Sequence, residues 1–343
     1  MSAPTLDAFL LSSQRNGCDA DVIATISAMS TAAIALNNSL RFGSPSGERG
    51  SVNADGDVQK ELDLFADGIF QNALKSAPVR FLASEELSEP LVINPGARIA
   101  VAIDPLDGSS NIDTNVSIGT IFSVLPAHDT QANDPHAPFL QPGNRQLAAG
   151  FMVYGPQLAL VLTLGSGTHV FVFSPRMGAF VQTRESVVIP EQTQEFAINS
   201  SNYRHWEEPV RLYVDDCLKG DSGPRGKNFN TRWIASMVAE AFRILIRGGV
   251  YLYPRDDRPS YSNGRLRLVY EANPIAMIVE QAGGRATDTA SRILDIQPIG
   301  LHQRIPLVFG SAREVEHVGR YHTDSSAIAD RSPLFSNRGL FRA

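Results

Sequence analysis

Apolar residues recur at helical spacing near the start of the chain. Residues 21–40 and 57–75 each predict a helix, because apolar positions three and four residues apart form one face. The stretch between them, 43–56, is rich in Gly and Ser and predicts either a simple connector or a mobile flap. The flap is the sharper hypothesis, because this stretch leads directly to Asp57 and Asp63.

From residue 79 to about 185 the pattern changes to short apolar runs of β-type residues. Predicted strands fall at 79–83, 98–103, 116–125, 148–154, 158–164, 169–173 and 178–183. Clusters of Gly, Pro and Ser separate these runs. Short strands with such turns between them predict a mostly antiparallel sheet.

After about residue 187 helical and strand-like segments alternate. The second half has predicted helices at 231–247 and 274–282 and predicted strands at 249–253 and 265–270. Asn273 and Pro274 predict the start of the later helix, and Gly283 predicts its end. The change of pattern predicts two domains: 1–187, with helices and a mainly antiparallel sheet, and 188–343, an α/β domain.

Composition and charge narrow the function classes. The chain has 343 residues, 43% of them hydrophobic, which is enough for a large core. A net charge of −6 argues against nucleic acid or an anionic membrane surface as the main partner. Residues 223–270 nevertheless carry nine Lys/Arg against three acids, which suits either a small anionic ligand or a solvated basic surface.

The cysteines and the N-terminus bear on where the protein works in the cell. Cys18 and Cys217 lie too far apart in sequence for a disulfide framework or a metal knuckle. The N-terminus lacks the basic start and apolar stretch of a signal peptide, and no apolar run approaches membrane-spanning length. We therefore expect a soluble, cytoplasmic protein.

The segment 101–113, VAIDPLDGSSNID, carries the strongest chemical signal. Asp104 and Asp107 end a strand-like run, so their carboxylates can bind one hard cation, and the Leu106 carbonyl can add a third oxygen. Gly108 allows a sharp turn that presents the following N–H groups and hydroxyls to an anion. A plain hairpin turn is the alternative, because nearly all these residues favour turns. Metal-assisted phosphoester hydrolysis needs oxygen ligands for the metal beside hydrogen-bond donors for the phosphate.

Other acidic residues occur at the ends of predicted elements. Glu85 and Glu86 close the first strand, and Glu271 lies between a predicted strand and the helix after it. A carboxylate beside a helix N-terminus is placed to share a site with anions. Asp57 and Asp63 form a further acidic group. None of these groups identifies a site by itself.

Together and in this order, the motifs identify a family. The chain resembles the class I fructose-1,6-bisphosphatases, within the magnesium-dependent, lithium-sensitive sugar and inositol phosphatases. The matching segments are GDVQKELD (56–63), ASEE (83–86), DPLDGSSNID (104–113), SIGTIF (117–122), SMVAE (236–240), GGVYLYP (248–254) and GRLRLVYEANPIAMIVEQAGG (264–284). DPLDG is common to the whole group, whereas LRLVYEANP is specific to the bisphosphatases. The resemblance implies an α/β fold, a layered α/β/α/β/α sandwich of two domains with the site between them.

The resemblance also implies roles for individual residues. Two or three Mg²⁺ ions, with Mn²⁺ as a substitute, would be held by Glu85, Asp104, Leu106 through its carbonyl, Asp107 and Glu271. The acids that take the proton of the attacking water, or lie beside it, would be Asp63, Glu86 and Asp57. Substrate contacts would come from Asp107, Gly108, Ser109, Ser110, Asn111, Asn199, Tyr203, Arg232, Met237, Tyr251, Tyr253 and Arg265.

Within that set, the resemblance divides the substrate between two ends. The serine turn would hold the C1 phosphate, whereas Asn199, Tyr203 and Tyr253 would hold the C6 phosphate. Arg232 would reach the C6 phosphate from a neighbouring subunit, which implies a homo-oligomer, a tetramer by family resemblance.

Several positions depart from the family pattern. Arg265 replaces the usual lysine, so a planar guanidinium group with several N–H donors replaces a compact ammonium group. Trp233 replaces a tyrosine and removes a hydroxyl. Asn202 could take the role of Asn199, because the register there is ambiguous. The Gly-Thr-rich turn that binds AMP in animal members is absent, so we expect no AMP inhibition.

The leading functional hypothesis is Mg²⁺-dependent hydrolysis of the C1 phosphate of D-fructose 1,6-bisphosphate by metal-activated water. The closest alternative is a sedoheptulose 1,7-bisphosphatase or a dual-specificity enzyme of carbon fixation. A catalytically dead regulator that binds sugar phosphates is the non-enzyme alternative. Gluconeogenesis and the Calvin cycle both need this reaction, and the residues do not separate them.

Overall fold

Two hydrogen-bonded sheets organise the chain, whose computed structural model describes residues 3–42, 57–127 and 134–323, with the side chains of 42 and 57–60 outside that description. The helices are α1 (Leu6–Arg15), α2 (Ala20–Phe42), α3 (Asp57–Leu74), α4 (Glu208–Leu218), α5 (Met237–Arg247), α6 (Asn273–Gln281) and α7 (Ala312–Thr323). The strands are β1 (Val79–Ser84), β2 (Leu91–Val92), β3 (Ile99–Asp107), β4 (Ile118–Pro126), β5 (Ala148–Tyr154), β6 (Leu158–Thr163), β7 (His169–Ser174), β8 (Ala179–Arg184), β9 (Glu195–Ala197), β10 (Asn230–Thr231), β11 (Val250–Tyr253), β12 (Leu266–Arg267), β13 (Arg285–Thr287), β14 (Arg304–Ile305) and β15 (Leu307–Gly310). The flap expected at 43–56 and the C-terminal tail 324–343 lie outside the described residues.

The first sheet has eight strands in the order β2-β1-β3-β4-β5-β6-β7-β8. Only β1 and β3 pair in parallel, and every other neighbouring pair is antiparallel. The prediction of a mostly antiparallel sheet is therefore confirmed, as are its seven strands. β3 and β4 are buried along their whole length, so the central strands read as continuous apolar runs.

The second sheet has five strands in the order β10-β9-β11-β15-β13 and is mixed. β11 runs parallel to β9 and antiparallel to β15. Between the two sheets lie α5 and α6, whose Ile244 and Ile278 share one core with Phe151 of the first sheet and Phe309 of the second.

Two further cores cover the outer faces of the sheets. Helices α1, α2 and α3 pack on the first sheet through residues such as Leu10, Met29 and Phe70. Helices α4 and α7 pack on the second sheet through residues such as Val214 and Val318. The layers therefore run α/β/α/β/α, as the resemblance implied.

Two predicted elements of the second half are shorter in the structure, one because it starts later and one because it ends earlier. The helix expected from residue 231 begins at Met237, because Ala235 has a left-handed backbone and Ser236 caps the helix by accepting a hydrogen bond from the Ala239 N–H. The strand expected over 265–270 is only the two residues of β12, and Leu268–Ala272 form a π-helical turn that leads into α6.

That turn also corrects the predicted start of α6. Asn273 has helical backbone angles (φ −62°, ψ −51°), so it lies inside the helical segment and does not cap it. The predicted end is confirmed: Gly283 is left-handed (φ +78°) and donates its N–H to the Glu280 carbonyl at 3.0 Å.

Helix α2 corrects a further expectation. Within the described part of the chain, Ala20–Arg41 is the one helical stretch long and apolar enough to cross a membrane by length and composition. Its Val22, Ile26, Met29 and Leu36 are nevertheless buried against α1, α3 and the first sheet. We therefore interpret α2 as a helix of the protein core.

The division near residue 187 stays a prediction. The first sheet ends at Arg184 and the second begins at Glu195. The core around α5 and α6 nevertheless takes side chains from both halves, so the packing does not separate two independent units.

Candidate active site

Strand β3 bends where its acidic residues begin. Asp104 pairs with Ile121 of β4 and Asp107 with Gly119, so β3 has one extra residue between the two pairs, as in a β-bulge. A Cβ at Gly119 would lie 2.2 Å from the Met152 carbonyl oxygen and 2.5 Å from a methyl of Val238. Only glycine therefore allows the start of α5 to approach β4 this closely.

Three carboxylates converge at this bend. Oxygens of Asp104, Asp107 and Glu271 lie within 4.8 Å of one another, and all three residues are buried. Asp104 accepts the Leu106 N–H at 3.0 Å, which fixes the turn of the bulge. Glu271 projects from the π-helical turn and accepts the Arg267 N–H at 2.5 Å.

The carboxylates of this cluster strongly oppose one another's ionisation. Burial raises the pKa of Asp104 well above its usual range, and Glu85, Asp107 and Glu271 raise it further. Burial also raises the pKa of Glu271 well above normal, with Glu85 as the next cause. Burial raises the pKa of Asp107 to about 6, although the backbone N–H groups of α5 oppose that shift.

This donor set fits a divalent cation. Among the ion pairs of residues 3–42, 57–127 and 134–323, none includes Asp104, Asp107 or Glu271, and the nearby Arg267 pairs with Glu85 at 2.5 Å. Buried carboxylates without a basic partner are costly unless a cation neutralises them. Several carboxylate oxygens together are the ligands that Mg²⁺, Mn²⁺ and Ca²⁺ prefer.

A second acidic group lies beside the first. Asp63 of α3 accepts a hydrogen bond from Ser109, and the charges of Glu86 and Glu85 lie near it. Burial raises the pKa of Asp63 to about 6, with the Glu86 charge as the next cause. One oxygen of Asp63, Oδ1, is buried with no hydrogen-bond partner among the described residues. Asp57 begins α3, but its side chain lies outside the described part of the structure.

The glycine-serine turn after β3 joins this site to α5. Gly108 is left-handed (φ +77°), and residues Ser109–Asn111 form a short 3₁₀ turn that includes Ser110. Asn111 donates its Nδ2 hydrogen to the Ala235 carbonyl at 2.8 Å. Asp107 accepts the Val238 N–H at 3.1 Å, so the positive end of the α5 dipole faces the acidic cluster.

A separate pocket contains most of the residues expected to hold the C6 phosphate. Its lining residues are Ile198, Asn199, Asn202, Trp206, Leu252, Tyr253, Pro254, Asp256, Arg258, Tyr261 and Arg265. Arg265 donates a hydrogen bond to Tyr253. Both Asn199 and Asn202 line this pocket, so either asparagine is placed to contact a distal phosphate.

Three other expected substrate residues lie elsewhere in this chain. The Tyr203 hydroxyl donates to Asp215 at 2.9 Å, and Tyr203 is not among the residues lining the pocket. Met237 is buried in the core between the sheets. The Tyr251 ring is buried and stacks on Trp233, with ring centroids 5.8 Å apart.

Arg232 belongs to a cluster of arginines around Glu195. Arg232 lies 3.5 Å from Glu195, which also pairs with Arg243 at 2.7 Å and Arg247 at 2.5 Å. The Arg232 side chain remains about half exposed. Arg232 has the longest of the three contacts to this buried carboxylate, and its exposed part is open to the surface.

Sequence reasoning missed Arg258 and Tyr261 of the second pocket. Both occur in the polar stretch RDDRPSYSNG, 255–264, whose composition predicts only a turn. The local excess of basic residues at 223–270 was the available signal, but it does not single out one arginine.

Comparisons with known proteins agree over nearly the whole chain. Residues 4–185 match the family described as fructose-1-6-bisphosphatase, N-terminal domain, and residues 189–323 match its C-terminal domain. The fructose-1,6-bisphosphatase class 1 of Rhizobium meliloti (strain 1021) is 60% identical over 349 residues and covers 100% of each chain. That of Azorhizobium caulinodans is 54% identical over 94% of this chain and 100% of its own.

Solved structures show the same likeness. The crystal structure of Leishmania major fructose-1,6-bisphosphatase in holo form has a TM-score of 0.85 and 34% identity, over 94% of this chain and 100% of that one. With matches to both family domains and a relative 60% identical over its full length, this chain belongs to the class 1 fructose-1,6-bisphosphatases.

Proposed function

We propose that this protein hydrolyses the C1 phosphate of D-fructose 1,6-bisphosphate to fructose 6-phosphate and inorganic phosphate, with Mg²⁺ as the working cation. Family membership supports the substrate. The observation that carries the chemistry is the convergence of the carboxylates of Asp104, Asp107 and Glu271, none of which forms an ion pair among the described residues.

The metal end of the site would use five oxygen sources in this chain. Asp104, Asp107 and Glu271 form its centre, and Glu85 and the Leu106 carbonyl would complete the ligands for two or three ions. Bound divalent cations supply charge neutralisation for the phosphoryl oxygens and an acidified water. Mn²⁺ has the same preference for oxygen ligands and would substitute for Mg²⁺.

Asp63 and Glu86 would receive the proton of the attacking water. Asp63 hydrogen-bonds with Ser109 of the serine turn and lies near Glu86, and Oδ1 of Asp63 is buried without a hydrogen-bond partner in the described residues. A positioned carboxylate with a free oxygen is suited to general-base catalysis. The auxiliary role of Asp57 stays a prediction.

The two phosphates would be held by different kinds of donor. Ser109, Ser110 and the backbone at Gly108 would orient the reacting phosphate, helped by the α5 N-terminus. The pocket with Tyr253 and Arg265 would bind the distal phosphate, because arginine binds phosphate oxygens through charge-assisted hydrogen bonds. Interactions at the distal end orient the C1 phosphate for in-line attack.

We propose a cytoplasmic homotetramer in which Arg232 reaches a neighbouring subunit's distal pocket. Its half-exposed side chain beside Glu195 supports this role. Light scattering should give a mass four times that of one chain, and Arg232→Ala should mainly raise KM. A monomer with the full activity would contradict the assignment. Gluconeogenesis suits this reaction, and a role in carbon fixation is the alternative.

A direct assay tests the reaction and its specificity together. Phosphate release from fructose 1,6-bisphosphate and sedoheptulose 1,7-bisphosphate should be compared with Mg²⁺, with Mn²⁺ and with EDTA. We expect a strong preference for the fructose substrate and no release in EDTA. Comparable rates would favour the dual-specificity alternative, for which Trp233 and Arg265 are the candidate causes. Binding of the sugar without release would instead indicate a regulator.

A further inference from the structure

Two arginines share one tyrosine ring in the distal pocket. The Arg258 guanidinium lies 4.3 Å from the centre of the Tyr261 ring, and that of Arg265 lies 5.5 Å from it. All three residues line the pocket, whose only acidic residue within the described chain is Asp256. Arg258 pairs with Asp256, whereas no ion pair of the described residues includes Arg265, so the surplus positive charge of the pocket points to an anionic ligand.

We propose that Arg258 is a further ligand of the distal phosphate, and that Tyr261 is the positioning residue that aims it. The assignment rests on the proposed function, because it names a contact to the same sugar bisphosphate. Neither residue belongs to the set implied by the family motifs, and both come from a loop that reads as a turn.

Arg258 is held so that part of its guanidinium stays free. Its Nε donates to both carboxylate oxygens of Asp256, at 3.0 and 3.2 Å, and its Nη2 donates to the same group. The carboxylate also accepts the Arg258 backbone N–H at 3.0 Å. Nη1 has no hydrogen-bond partner in the described residues, so its two hydrogens remain for a ligand. The pairing therefore orients the fork before a phosphate binds.

The loop that carries Arg258 is tied to the opposite wall of the pocket. Trp206 and Asp256 form an isolated antiparallel β-bridge. The Asp257 N–H donates to the His205 carbonyl at 3.1 Å, and the two side chains lie 2.8 Å apart. His205 ends the short turn that Asn199 begins. The amide donors and the Arg258 fork therefore belong to one connected frame around the pocket.

The acidic partner explains why two arginines can coexist here. Asp256 neutralises one positive charge of the pair, which leaves the pocket with about one net positive charge from its side chains. A phosphate dianion can neutralise that remainder and accept hydrogens from both forks. Arg265 and Arg258 would then bind different oxygens of one phosphate, with the Tyr261 ring in contact with both guanidinium groups.

Steady-state kinetics with a truncated substrate test this contact. Arg258→Gln should raise KM for fructose 1,6-bisphosphate by roughly 10-fold with kcat changed less than about twofold, because uniform binding is lost. Fructose 1-phosphate lacks the distal phosphate, so its hydrolysis should be unaffected by the same substitution. Arg258→Lys should restore part of the affinity, because it keeps the charge but loses the fork.

Tyr261 offers a matched pair of variants. Tyr261→Phe keeps the aromatic ring and should leave KM near the wild-type value. Tyr261→Leu removes the aromatic ring and should raise KM by roughly 3-fold or more. Arg255→Gln is the control, since Arg255 is on the same loop but pairs with Glu207 at 2.7 Å outside the pocket.

Two results would overturn the proposal. One is an unchanged KM in Arg258→Gln, and the other is an equal loss with fructose 1-phosphate, which would indicate a general structural defect. If the wild-type protein released no phosphate, the proposed function would fail by itself. Calorimetric binding of fructose 6-phosphate would then still test Arg258, because Arg258→Gln should weaken it by roughly 10-fold and an equal Kd would refute the contact.

Discussion

The central acids of this protein are destabilising residues until a cation binds. Asp104 is buried beside Asp107 and Glu271, and burial first and these neighbouring carboxylates second raise its pKa. Such a cluster costs free energy in the folded state unless a cation binds or the carboxyl groups take up protons. Function and stability therefore compete at the same residues, as is common for catalytic sites.

Asp104→Asn should separate stability from function. In EDTA at pH 8 the variant should be more stable than wild type, by on the order of 1 kcal/mol, because one buried charge is removed. With Mg²⁺ the order should reverse, since wild type gains RT ln(1 + [L]/Kd) and the variant loses a ligand. Thermal melts under the two conditions measure this.

The matched control is Asp295→Asn, which removes an exposed acid that pairs with Arg292 at 2.8 Å. Its effect should be small and independent of Mg²⁺. A destabilised Asp104→Asn in EDTA would show that the cluster is not under repulsive strain.

His317 gives a pH dependence away from the active site. Nε2 of His317 is buried without a hydrogen-bond partner in the described residues, and the His317 ring packs beside the rings of Tyr213 and Tyr321. Burial lowers the pKa of His317, and Arg225 lowers it further. His317 therefore binds a proton more readily in the unfolded chain than in the folded chain. The free energy of unfolding should fall as the pH drops below about 6.5.

His317→Phe should weaken that dependence. The difference in melting temperature between pH 7.5 and pH 5.5 should be smaller in the variant, because the titrating group is gone. Equal differences in the two proteins would mean that His317 is protonated in the folded state.

Single elements show where sequence patterns are sufficient. The apolar part of strand β3 is predictable from its run of apolar residues, but the bulge that extends the strand from the predicted end at 103 to Asp107 is not. The π-helical turn Leu268–Ala272 is not predictable, because LVYEA has the composition of a strand. Its helical form depends on tertiary contacts, including the Glu271 carboxylate that accepts the Arg267 N–H.

The start of α5 shows the same limit. The helical spacing of apolar residues extends back to residue 231. The helix nevertheless begins only at Met237, because Ala235 has a left-handed backbone. That conformation is unusual for alanine and accompanies the contact of its carbonyl with Asn111. The local sequence pattern cannot predict this contact, because Asn111 and Ala235 are far apart in sequence.

The packing of α5 against β4 depends on one glycine. Gly119→Ala should destabilise the fold by about 1–3 kcal/mol, because the new methyl would overlap Met152 and Val238. Denaturant unfolding measures the loss. Gly96→Ala is the control, since its Cβ would meet only Asn94 Oδ1 at 3.7 Å. Equal stabilities of the two variants would show that α5 can move away without cost.

At the scale of the whole molecule, layering brings distant motifs to one place. The acids come from β3 in the first half and from the turn before α6 in the second. Sequence order alone does not show that these segments meet, and only the family resemblance predicts the convergence of Asp104, Asp107 and Glu271 seen in the structure. Tyr203 illustrates the remaining gap, since its hydrogen bond to Asp215 was not apparent from the motif.

The most direct test of the account is the rate of phosphate release from fructose 1,6-bisphosphate at saturating Mg²⁺, measured for wild type, Asp107→Asn and Asp295→Asn. We expect Asp107→Asn to lose roughly 10³-fold or more in kcat while remaining folded, because a buried ligand of the cation cluster becomes neutral. Asp295→Asn should keep wild-type activity. If Asp107→Asn instead stayed within a few-fold of wild type, the catalytic centre would lie elsewhere in the protein.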